Sequence, residues 1–143
     1  MRQTPKNRAE RGSTLVESAL TLLMFFLILI GVIDFGQVMY FHQSLVERAR
    51  TAVRYGITNP TNTAGIQNMA VYNTVTVTGT PSAILPNLTT AMVNVTNPDA
   101  NTSNARVAVT ISGYPIVFLS PYITQSFSNL AVTVAMSSET QVP

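Results

Sequence analysis

The chain has 143 residues, enough for one ordinary domain, and contains no Cys and no Trp, so a disulfide framework and a Cys-ligated metal site are excluded. Its formal charge of +2 is unevenly spread: Arg2, Lys6, Arg8 and Arg11 against Glu10 put +3 ahead of Ser13 and leave −1 on the remainder. That remainder has only Arg48, Arg50, Arg54 and Arg106 as basic groups, too few for a cationic nucleic-acid surface, and no nucleic-acid partner is expected. Charged residues make up 10%, which is low for a soluble cytoplasmic domain.

Three zones follow in chain order. Residues 1–12, MRQTPKNRAERG, form a basic leader with almost no apolar side chain, so any role lies in its charge and its removal. Residues 13–56 read as one long helix. Its inner part, Ala19 to Ile33, has Thr21 as its one clearly polar residue. With Thr14 to Val16 the stretch reaches the ~20 residues that cross a bilayer. Basic residues crowd the near side, and the far side begins with Asp34. The positive-inside rule therefore puts the leader in the cytoplasm and the C-terminal domain outside it, single-pass. Beyond the membrane, Phe35, Val38, His42, Leu45, Ala49, Ala52 and Gly56 recur at spacings of three and four, flanked by Met39, Val46 and Val53. That is one apolar stripe at helical period, with Ser44, Glu47, Arg48, Thr51 and Arg54 opposite it. Gly56 is the expected C-terminal stop.

Residues 57–143 read as an extracytoplasmic β-rich domain. TNPTNTAG (58–65) has linker composition. Strand-like alternation appears around Val75 and Val77, from Ala91 to Val95, from Ala105 to Ile111 and from Leu130 to Met136. NPDANTSN (97–104) reads as a hairpin loop. The fold class expected is α+β: a long N-terminal transmembrane helix packed by its outer half on a small antiparallel β-sheet, a pilin-like shape.

The chemistry-bearing residues are Gly12-Ser13-Thr14-Leu15-Val16-Glu17, directly after the basic leader and directly before the apolar run. A secretory signal peptide is cut after its apolar segment. Here the small-residue site precedes that segment, so cleavage would leave the anchor on the mature protein.

This arrangement resembles the class III leader of type IV pilins and pseudopilins. The wider pattern resembles the TadE-like family of minor pilins from tight-adherence systems. RGSTLVESALTLL is similar to that family's leader junction, GVIDFGQ (31–37) to its exit from the membrane, and ERARTAVRYG (47–56) to its helix end. The final strand followed by Glu139 is similar to its C-terminus. Ser18 stands where the family usually has an aromatic residue, and Met24 lies in a run that often carries Pro. The resemblance implies cleavage between Gly12 and Ser13 by a prepilin peptidase, and Gly lets an extended backbone enter a narrow active site. It implies a role for Glu17 in assembly, pairing with the new α-amine of Ser13 on a neighbouring subunit. It also implies, as partners, other pilin-like subunits, the pilus assembly platform and inner-membrane lipid, with incorporation of the subunit in a surface pilus.

Blander readings stand beside these. Glu17 also reads, less favourably, as an ordinary acid at the membrane edge, where the cost of burial is small. The alternative to the pilin-like reading is a plain signal anchor for a binding module that forms no filament. His42, the one histidine, is expected to pack against the sheet. Asp34, Glu47, Asp99 and Glu139 are too scattered for a catalytic carboxylate pair. No enzyme activity, cofactor, metal or small-molecule substrate is expected, and the triplets at Asn87, Asn94 and Asn101 carry no weight as glycosylation sites.

Overall fold

The computed structural model describes residues 8–98, 105–119 and 130–137. The first seven leader residues, most of the 97–104 loop including Asp99, and Glu139 lie outside the described residues. The order of elements is helix α1 (Arg8–Thr58), helix α2 (Thr63–Tyr72), a 3-10 turn (Thr90–Met92), and strands β1 (Val93–Thr96), β2 (Arg106–Tyr114) and β3 (Leu130–Ser137).

Helix α1 has 51 residues and spans roughly 76 Å at 1.5 Å per residue. The chain is thus α+β as expected, with one long apolar N-terminal helix and a three-stranded antiparallel sheet in the order β1-β2-β3. Val93 pairs with Ile111 and Thr96 with Ala108, so β1 and β2 form the expected hairpin. Arg106 pairs with Ser137 and Ile111 with Val132 across β2 and β3. The ladder slips between Ile111 and Tyr114. Gly113 sits there at φ +76°, a left-handed conformation that side-chain-bearing residues rarely adopt. Val107, Val109 and Ile111 form the inner face with Val93 and Val132, and all are buried.

The outer half of α1 covers that face. Leu45, Ala49, Ala52 and Val53 are fully buried and join the sheet residues in one core. Gly56 does not end the helix, which runs two residues further. It is buried, and a Cβ placed on it would lie 2.9 Å from Val107 Cγ1 and 3.1 Å from Ile66 Cδ1. Its lack of a side chain serves close approach, not capping.

Two expectations in the C-terminal domain need correction. The supposed linker 58–65 holds the start of α2. Asn62 caps it by accepting the Gly65 N–H through Oδ1 at 2.9 Å, and Asn73 closes it in a left-handed conformation. Ile66, Ala70 and Val71 then enter the core at helical spacing. The alternation at Val75 and Val77 forms no strand. An alternating pattern permits a strand, but a strand also needs a neighbour to pair with, and this segment has no ladder partner among the described residues.

Candidate functional site

The expected processing site lies on the inner part of α1. Gly12, Ser13 and Glu17 are exposed, and nothing comes within 4 Å of a Cβ built on Gly12. The peptide bond between Gly12 and Ser13 lies inside the helix. A protease that reads an extended backbone must therefore unwind this turn, and Gly, about 1 kcal/mol worse than Ala in a helix interior, is where unwinding costs least. Glu17 and Thr21 are one turn apart, and Thr21 Oγ1 donates to the Glu17 carbonyl at 3.0 Å. Ser18 Oγ donates to the Thr14 carbonyl at 2.8 Å. Both hydroxyls are thereby satisfied within the helix, which suits a segment placed in lipid.

From Leu15 to Ile33 the large apolar side chains, with the exception of half-buried Ile30, stand exposed round the helix. A residue set left uncovered by the described residues, on a helix long and apolar enough to cross a membrane, is a candidate membrane anchor. The stretch from Leu15 to Ile33, nineteen residues with Glu17 and Ser18 near its start, measures roughly 28 Å, close to the ≈ 30 Å of a bilayer's hydrocarbon.

The other functional region is the joint where α1 leaves that run. Asp34 is only 3% exposed, and its Oδ1 accepts the Leu119 backbone N–H at 2.7 Å. A carboxylate accepting a backbone N–H is a charge-assisted bond, stronger than a neutral one. Two turns on, the Phe41 ring meets the Tyr114 ring at 5.5 Å between centroids. The Tyr114 hydroxyl donates to the Pro86 carbonyl at 2.9 Å. Burial raises the Tyr114 pKa above its ordinary 10.0, and Tyr40 adds to the rise. Sequence reading marked Asp34 only as the end of the apolar run. Its partner is 85 residues away, and no local pattern announces it.

His42 does not face the sheet. It is exposed, as are Phe35 and Met39, so the buried seam of α1 is narrower than the stripe in the sequence. Arg48 is half-buried and pairs at 3.6 Å with exposed Glu47, while Arg50 and Arg54 are exposed. Among the described residues no three His, Cys, Asp or Glu groups converge as metal ligands would.

No curated protein and no solved structure matches this chain. A family model described as TadE-like protein matches residues 12–54. The match begins at Gly12, follows α1 through the apolar run and the joint, and stops before the sheet domain. Over its long helix, then, this chain is similar to the TadE-like family.

Proposed function

We propose that the chain is the precursor of a pilin-like subunit of a tight-adherence or related type IV pilus or secretion apparatus, of the minor class. A prepilin peptidase cuts between Gly12 and Ser13 on the cytoplasmic side. The apolar part of α1 holds the product in the inner membrane, and the sheet domain stands outside. Glu17 then pairs with the freed α-amine of Ser13 on a neighbouring subunit, drawing it into register with other pilus components. The role is structural, with no catalysis.

One observation carries this reading: the TadE-like match starts at Gly12, on a helix whose inner apolar side chains, Ile30 apart, stand exposed among the described residues. The position of Gly12 ahead of the anchor supports it, because a cut there removes the +3 leader and spares the helix. The test is N-terminal sequencing and mass measurement of the protein from native membranes. A start at Ser13, lost in Gly12→Leu, is the expected result. An intact start at Met1 in cells with an active prepilin peptidase overturns the reading and leaves a tethered binding module.

A further inference from the structure

The segment after β2 does not stay with the sheet. It descends along α1 from Tyr114, whose ring meets Phe41, to Leu119, whose N–H is held by Asp34. Seven helix positions separate those two anchor points, a drop of roughly 10 Å toward the apolar run. Along the way side chains alternate. Ile116 and Phe118 are buried, while Val117 and Leu119 are 76% and 59% exposed. The stretch from Gly113 to Leu119 carries no charge.

Asp34 follows directly on the last residue of the apolar run. That run is about as long as the hydrocarbon is thick, so it cannot fill the bilayer and also leave Asp34 well above the surface. Leu119, bonded to Asp34, shares its height. Ile30 agrees: between Gly12 and Ile33 it is the one side chain that is half-buried, and it lies one turn below Asp34 on the same face. The cover on this face thus reaches down into the level of the apolar run.

We infer that the outer domain is seated on the membrane surface, with Val117 and Leu119 dipping into the headgroup and acyl boundary of the bilayer that α1 crosses. The inference rests on the membrane-spanning reading of α1. The occupant is lipid, because these two side chains continue the exposed apolar surface of the run at its upper end. Interfacial apolar side chains sit at about 5–10 Å depth in such a boundary. Asp34 sets the height of this contact by fixing the Leu119 backbone to the helix.

The chain has no Cys, so a single introduced Cys carries a unique label. The full chain is reconstituted in vesicles of phosphatidylethanolamine and phosphatidylglycerol with a nitrobenzoxadiazole label at Phe25→Cys, Val117→Cys, Leu119→Cys or Thr133→Cys. All four sites are exposed, and a tyrosine circular dichroism signal matching the parent shows that the fold is kept. Labels at 117 and 119 are expected to be quenched by a nitroxide on the shallow part of the lipid chain, and several-fold less than the label at 133 by aqueous iodide. Equal iodide quenching at 117, 119 and 133, with the label at 25 quenched by lipid, overturns the seating and keeps the membrane span. Shielding of 117 and 119 from iodide and lipid alike overturns it in favour of a protein cover, such as a second copy. Iodide access at 25 removes the span itself, and the seating with it.

Discussion

Leu22 and Leu45 are the same residue on the same helix, yet Leu22 stands exposed among other large apolar side chains and Leu45 is fully buried. The inner half of α1 is apolar all round, which suits a medium that has no preferred face. The outer half is apolar along one seam, and three of its buried seam positions are small: Ala49, Ala52 and Gly56. Large side chains fill lipid, whereas small ones let a sheet come close. On the proposed membrane-spanning reading, one continuous helix serves two solvents, and the change occurs near Asp34.

The comparison can be broken most strongly at those two leucines. Leu45→Ala should cost about 2–5 kcal/mol, from lost transfer energy and a cavity in the core. Leu22→Ala should leave the outer domain's unfolding midpoint unchanged. Urea unfolding of the full chain in detergent micelles, followed by tyrosine circular dichroism, checks both. Equal losses would mean that the inner half is also packed by the chain.

The glycines sharpen it further. Gly56→Ala should destabilise by about 1–3 kcal/mol, less the gain in helix propensity, because Val107 and Ile66 must move. Gly31→Ala meets nothing within 4 Å and should be neutral or slightly stabilising. The same unfolding assay reads the sign of each change.

At the boundary itself, Asp34→Ala should cost about 1–3 kcal/mol by leaving the Leu119 N–H without its carboxylate. Hydrogen exchange at Leu119 should quicken in that variant, and should stay slow in Glu17→Gln, whose carboxylate lies outside the fold of the outer domain.

The smallest effect is at alkaline pH. The buried Tyr114 phenol keeps its proton to higher pH than the same phenol in the unfolded chain. Its contribution is therefore complete below about pH 10 and is lost as pH rises through the native pKa. Tyr114→Phe should flatten the fall in stability above that pH, at the cost of the bond to Pro86 at neutral pH. An unchanged alkaline slope would show that another group sets it.

Legibility followed the range of the interactions. The apolar run and strands β2 and β3 were readable because each is a local pattern, set by backbone period. Helix α2 was also written locally, in the Asn62 cap and the Ile66 and Ala70 spacing, but the Asn- and Thr-rich composition ahead of it masked the signal.

By itself, then, the sequence determined that one helix is long and apolar enough to cross a membrane and that a small sheet packs on its far half. Only the tertiary structure decided which face of that helix is covered, leaving His42, Phe35 and Met39 outside. It also decided that Gly56 is a contact point, that the valines at 75 and 77 find no strand to join, and that Asp34 holds Leu119. The physical reason is common to all four. Periodicity fixes which side chains share a face, but the partner of that face is supplied by residues tens of positions away, and only the folded chain brings them together.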